Sequence, residues 1–265
     1  MAQASLLTPE ATIGSGSAEV VVRDPRTLQK LYSFPEPSDA EIQAAFTRAR
    51  GAFDKIRAMS VADRVRETLK IRDYVLKNKE KIVDRLVQET GKARTDALMA
   101  DVRAVLEIID FYSKNAEKYL RDEKVPTPLI LQGKKSYVRY EPMGPVLIIS
   151  PWNFPFNLAF VPMMTAFIAG NSIVFKPSEW TPLKGLVEEI VDGSGFMKDA
   201  INVIYGGKDT GRKLIDQRPA KILFTGSTRA GKQIMQQAAQ YLIGNLGKRW
   251  GAGHHLIADA GQSLD

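Results

Sequence analysis

Residues 144–179 read GPVLIISPWNFPFNLAFVPMMTAFIAGNSIVFKPSE, and the order of residue types along them decides the fold. Val146–Ile149 is a short apolar run with β-branched residues behind a Gly-Pro start, the pattern of a buried strand. Ser150-Pro151 stops it, and Trp152-Asn153-Phe154-Pro155 sets one polar side chain among aromatics and prolines. An apolar helix is expected from about Pro155 to Ala169, because proline suits a first helical turn and Gly170 suits the stop. Ser172–Phe175 is a second strand, ending at Lys176-Pro177-Ser178-Glu179. Strand, helix and strand make a βαβ unit. Its chemistry-bearing residues stand just past the strand C-termini, where open parallel sheets take their ligands.

The alternation continues outward from this unit. Further strands are expected near 201–205 and 221–224 with helices between, which implies a doubly wound parallel sheet. Toward the N-terminus, Val20–Arg23 and Leu31–Phe34 read as two short strands around a turn containing Asp24-Pro25-Arg26. Ser38-Asp-Ala-Glu41 is a capping box, so a helix should run from there to about Met59. Ser60 starts a second, with Val65, Leu69, Arg72 and Leu76 on one face beside Ile71 and Val75. A third ends at Thr90-Gly91, and a long fourth from about Ala93 to Leu120 carries Leu98, Val102, Val105, Ile109 and Tyr112 at helical spacing. Pro126–Leu131 reads as a loop and Lys135–Tyr140 as an alternating strand. The expected fold is α/β: a Rossmann-like parallel sheet with flanking helices, preceded by an N-terminal helical segment.

Composition narrows the function classes. The 265 residues are 44% hydrophobic and 25% charged, enough to bury a core. The net charge is +7, but Lys and Arg interleave with Asp and Glu along amphipathic helices, as in 77–84, which describes a solvated surface rather than a nucleic-acid face. No stretch approaches the roughly 20 apolar residues of a membrane span. The opening MAQASLLTPEATIGSGS lacks a basic n-region and an apolar core, so it reads as a flexible leader in a cytoplasmic protein. There is no cysteine, which removes disulfides, thiolate metal sites and a thiol nucleophile. His254 and His255 are adjacent and cannot both face one metal, so no metal site is expected.

Three places carry candidate chemistry. Asn153, at a strand end in a proline-bounded turn, offers a carboxamide N–H to a developing oxyanion, caps the helix that starts at Pro155, or does both. Trp152 beside it is a channel wall or a core tryptophan. Gly226-Ser227-Thr228-Arg229-Ala230-Gly231 lies between a strand and a helix, where backbone N–H groups and the Ser227 hydroxyl can hold a pyrophosphate, or simply turn the chain. Gly207 and Gly211 flank the preceding βα turn. Gly226-x4-Gly231-Lys232 is also nearly a Walker A loop, which keeps an NTPase as an alternative. Gln233, however, stands where a Mg²⁺-binding Ser or Thr belongs, and no apolar strand ends in a Walker B Asp.

PWNFPFN, IAGNSIVFKPSE and FTGSTRAGK, in this order and spacing, resemble the NAD(P)-dependent aldehyde dehydrogenase superfamily from about Ser38 to Leu242. The resemblance implies NAD as cofactor, with NADP left open. It implies that Asn153 is the oxyanion donor to a thiohemiacetal, and that Ile149, Trp152, Lys176, Glu179, Gly207, Gly226, Ser227 and Gly231 contact the cofactor. Lys176 and Glu179 would hydrogen-bond the adenosine ribose. A carboxylate accepting from the 2′-OH favours NAD, because it repels a 2′-phosphate. Without the resemblance the two read as an ordinary exposed pair. The expected organisation is a leader over 1–17, an NAD(P)-binding domain over 18–243 and an atypical tail over 244–265. A strand near 135–142 would reach another subunit of a homo-oligomer.

The resemblance breaks at the carboxyl end. The family's nucleophile is a Cys beyond the cofactor turn, and its general-base Glu sits in a segment like VTLELGGK. Here the corresponding stretch, Gly244–Gly251, reads GNLGKRWG, with neither Glu nor Gly-Gly, and the chain reaches only Asp265. The expectation is therefore a truncated member that binds cofactor at most and needs an intact relative to use an aldehyde. A non-catalytic interaction protein that pairs with full-length relatives is the rival of a different class. Gly244 onward also reads as a passage out of the family's frame. Gly-Asn-Leu-Gly permits codons that give Val-Thr-Leu-Glu one nucleotide later, and Leu256–Asp265, LIADAGQSLD, again resembles the family's next strand and acidic turn.

Overall fold

The computed structural model describes residues 19–131 and 133–249. The leader, the histidine pair and the 256–265 segment lie outside the described residues. Strands β1 (Glu19–Arg23) and β2 (Lys30–Pro35) pair antiparallel. Helix α1 (Asp39–Ala58) starts at the expected capping box: the Ser38 hydroxyl accepts from Glu41 N and the Glu41 carboxylate accepts from Ser38 N. Helices α2 (Val61–Lys77) and α3 (Lys79–Thr90) follow, α3 ending on Gly91 at φ 69°. The buried residues of α2 are Arg64, Thr68, Ile71 and Val75, while Leu76 is exposed. The inward face is thus the Ile71/Val75 side, not the face through Val65, Leu69, Arg72 and Leu76.

The long fourth helix is not uniform. Its first turn α4 (Arg94–Asp96) runs into a π-helical stretch (Ala97–Arg103) and then into α5 (Ala104–Leu120). Its inward residues include Val102, Val105 and Ile109, as the spacing requires, together with buried Asp101. After α5, β3 (Glu123–Val125) and β4 (Ser136–Val138) form a small antiparallel hairpin. Leu129–Leu131, at its far end, is a short 3₁₀ turn rather than open loop.

The main sheet follows: β5 (Val146–Ile149), α6 (Asn157–Ile168), β6 (Ile173–Lys176), α7 (Leu186–Ser194), β7 (Ile201–Val203), α8 (Lys208–Asp216), β8 (Lys221–Gly226), α9 (Thr228–Ala239) and β9 (Gly244–Arg249). The strands lie parallel in the order β7-β6-β5-β8-β9. The order reverses between β5 and β8, and there the crossovers leave a crevice at the strand C-termini. Strand alternation divides the core. Val146, Ile148, Ile173 and Phe175 face a layer that includes residues of α2, α3, α5, α6 and α7; Leu147, Val174 and Ile222 face α8, α9 and the first half of α1. Asn171 ties the βαβ unit together: its Oδ1 accepts from Met143 N and Gly144 N, while its Nδ2 donates to Ala166 O. The segment from Gly244, where no strand was expected, adds β9 at the sheet edge, with Leu246 paired to Leu223.

Candidate active site at the switch point

The sequence places its candidates at strand ends, and the sheet brings those ends side by side. Ile149 is in register with Lys176 on one flank and with Phe224 on the other. Gly226 closes β8 two residues beyond Phe224, and Ser227 is the N-cap of α9, its hydroxyl accepting from Ala230 N at 3.2 Å. Ser227, Thr228 and Arg229 are exposed. The leading N–H groups of α9, which have no intrahelical acceptors, therefore open onto the crevice edge where a helix dipole favours an anion. Gly226 is hemmed in by Phe224: a Cβ there would meet its ring at 2.4 Å, whereas at Gly231 the same ring is 3.4 Å away.

Lys176 is not an exposed residue. It is 4% accessible, donates to Pro177 O at 3.1 Å and lies 3.7 Å from Glu179 Oε2. Burial pulls the ammonium below the ordinary lysine range, while Glu179 and Glu36 pull it back. Glu36 was not read from the sequence. It reaches the β7–α8 turn, where Oε1 accepts from Gly207 N at 2.8 Å and Oε2 from Thr210 Oγ1 at 2.6 Å.

Asn153 does not cap α6. Both polar atoms of its carboxamide are shielded from solvent and have no hydrogen-bond partner. The cap comes from Asp101 in the π-helical stretch, whose Oδ1 accepts from Phe156 N at 3.2 Å and Asn157 N at 3.1 Å. The widened turn also frees Ala100 O to accept from Asn157 Nδ2. Lys92 completes the arrangement. Its Nζ donates to Asp101 Oδ2 at 2.6 Å and to Asn153 O at 2.9 Å, and it sits 4.2 Å from the Phe154 ring centroid. The main chain of the Asn153 turn is thus held from outside while its amide stays uncommitted, a state that costs free energy unless a ligand uses it. Trp152 is 59% exposed, so it is not a core residue, and its carbonyl accepts from Thr181 Oγ1.

An uncommitted amide, a helix N-terminus and a buried Lys–Glu pair along one edge fit a dinucleotide better than they fit a metal. Among the described residues no group of His, Asp and Glu could hold an ion, and no helix is long and apolar enough to cross a membrane.

Residues 13–256 match the model of the aldehyde dehydrogenase family. A 4,4′-diapolycopene aldehyde oxidase of Methylomonas is 34% identical over 215 residues, covering 80% of this chain and 41% of that protein. A D-glyceraldehyde dehydrogenase (NADP(+)) of Picrophilus torridus is 30% identical over 85% of this chain and 46% of its own. Among solved structures, the NAD⁺ complex of an aldehyde dehydrogenase from Bacillus cereus aligns with TM-score 0.80 and 29% identity, over 87% of this chain and 47% of that one. The chain spans less than half the length of the curated relatives it matches. Motifs, sheet order and similarity over most of the chain agree: this chain belongs to the aldehyde dehydrogenase family.

Proposed function

We propose that residues 18–243 are the NAD(P)-binding domain of an aldehyde dehydrogenase and that the C-terminal edge of the sheet takes NAD. The unpaired Asn153 amide, just past the end of β5, which is in register with β6 and β8, carries this reading. Lys176 and Glu179 hold the adenosine ribose, with Gly207 lining the cleft beside them. Gly226, Ser227 and Gly231 shape the turn whose N–H groups face the pyrophosphate, and Ile149 and Trp152 wall the channel. The bound nicotinamide supplies a hydride acceptor. Asn153 donates its amide N–H to the oxyanion that develops when a nucleophile adds to the aldehyde carbonyl. With no cysteine in the sequence, the thiolate for that addition is not among these 265 residues. In this reading the chain alone binds cofactor and leaves the aldehyde to an intact relative.

Titration calorimetry tests the assignment. NAD should bind, and Glu179→Ala and Ser227→Ala should each weaken it by about tenfold, the worth of one hydrogen bond to a charged or capped group. Tight Mg²⁺–ATP binding without NAD binding would replace the reading with the NTPase one.

A second reading, association with relatives through the hairpin, draws on its exposed apolar side chains. Leu129 and Ile130 are 88% and 92% accessible, and Tyr137 and Tyr140 are also exposed. Light scattering on a full-length family member mixed with the chain, and with Ile130→Lys, separates the cases. A mass no greater than that of the unmixed components in both mixtures would remove this second reading.

A further inference from the structure

The anion at the N-terminus of α8 belongs to the protein itself. Gly207 is the N-cap of this nine-residue helix, and no side chain at that position caps it. The cap is Glu36, 171 residues earlier in the chain, through Gly207 N and Thr210 Oγ1. The seat is closely built around the carboxylate. A Cβ on Gly206 would fall 2.7 Å from Glu36 Oε2 and 2.2 Å from Thr210 Oγ1, and one on Gly207 would fall 2.8 Å from Glu36 Oε1. The same helix borders Lys176, whose Cδ would lie 3.9 Å from a Cβ on Gly211. Lys176 therefore answers to two carboxylates, Glu179 and Glu36, and the three groups sum to one negative charge.

We propose that Glu36 is a specificity residue which excludes the 2′-phosphate of NADP and so sets a preference for NAD. The proposal rests on the reading of Lys176 and Glu179 as the ribose end of the cofactor site. A ribose with a free 2′-OH adds only hydroxyls to this corner and can donate to Glu179. A 2′-phosphate adds negative charge beside two carboxylates. To reach a helix N-terminus it must evict Glu36 from Gly207 N and Thr210, costing the carboxylate both hydrogen bonds and leaving it only the charges of Lys176 and Lys213. The exclusion is therefore built in twice, by repulsion and by occupancy.

Calorimetry on the full chain with NAD and with NADP tests this. The unaltered chain should bind NAD at least about tenfold more tightly than NADP, and Glu36→Gln should shift the NADP:NAD affinity ratio toward NADP by about tenfold while NAD itself changes by less than about threefold. Glutamine keeps an acceptor for Gly207 N and removes the charge. Should Glu36→Gln fail to fold by circular dichroism, Glu36→Asp keeps the charge but withdraws it from the turn, and a smaller shift of the same sign is expected. Equal binding of the two cofactors by the unaltered chain, or an unchanged ratio in a folded Glu36→Gln chain, overturns the proposal. If NAD binds normally in that second case, only the role of Glu36 falls. If the unaltered chain binds neither cofactor, the site assignment falls with it.

Discussion

Asn153 and Asp101 stand on either side of one turn and divide its work, although sequence alone gives Asn153 both parts. A side-chain cap satisfies helix N–H groups, and Asp101 does this from the neighbouring helix, with Lys92 neutralising it at 2.6 Å. Asp101→Ala would leave both N–H groups without their acceptor and take from the Lys92 ammonium its counter-charge, so urea unfolding should show a loss of roughly 3–5 kcal/mol, the cost of breaking a buried charged pair. The Asn153 amide makes no bond in the protein, so Asn153→Ala should change stability by less than about 1 kcal/mol, and a gain is the expected direction. A loss of several kcal/mol in Asn153→Ala would return Asn153 to a structural role. The candidate residues at strand ends were legible in the sequence, because a strand end followed by Pro, Gly or Lys-Pro announces itself locally. Lys92, Asp101 and Glu36 were not. Each acts across 55 to 171 residues of chain, at distances that residue types and spacing do not encode.

Among the elements, β5, β6, β7 and β8 are legible as short strands, and the helix between β5 and β6 has a readable start at Pro155 and stop at Gly170. β9 was not, since GNLGKR holds two glycines, two basic residues and a single apolar side chain. Its strand conformation comes from backbone pairing to β8 rather than from its own propensity. The π-helical stretch is not legible in the sequence for a related reason. Its helical spacing looks regular, and the widening is paid back only by tertiary bonds from Asp101 and Ala100 to the start of α6. The connection from α6 to β6 was legible and is the sharper constraint. Gly170 holds φ 94°, and a Cβ there would press on Pro142 at 2.9 Å. Gly170→Ala should therefore cost about 1–3 kcal/mol, seen as a lower Tm, through both backbone strain and contact. An unchanged Tm would mean that this link yields freely, and the Asn171 latch beside it would not be fixing the βαβ unit.

At the scale of the whole molecule, the proposed reading makes the sheet and its two cores a cofactor-binding unit, and the 265 residues include no cysteine to attack a carbonyl. Rigorously purified chain should give no NADH from an aldehyde above background, and robust turnover would refute that. The other whole-chain prediction concerns the codons behind β9. Gly244-Asn245-Leu246-Gly247 can be written GGT-AAC-CTT-GGA, which one nucleotide later reads GTA-ACC-TTG-GAA, or Val-Thr-Leu-Glu. Arg249-Trp250-Gly251 can be CGG-TGG-GGN, and the same shift gives Gly-Gly after one intervening residue, the spacing of the family segment that carries the general base. The shift also accounts for an edge strand so poor in β-formers, since Val-Thr-Leu suits the place beside β8 better than Gly-Asn-Leu does. Degenerate codons make one such match cheap, but matches on both sides of Lys248 in a single register are not. The coding DNA across codons 244–255 should therefore spell Val-Thr-Leu-Glu in the shifted frame. A different reading there would establish true divergence of this tail. If the shifted frame does read so, the intact gene should continue into a Cys-bearing catalytic domain, and restoring the frame should yield a chain that reduces NAD with an aldehyde and loses that activity on Asn153→Ala.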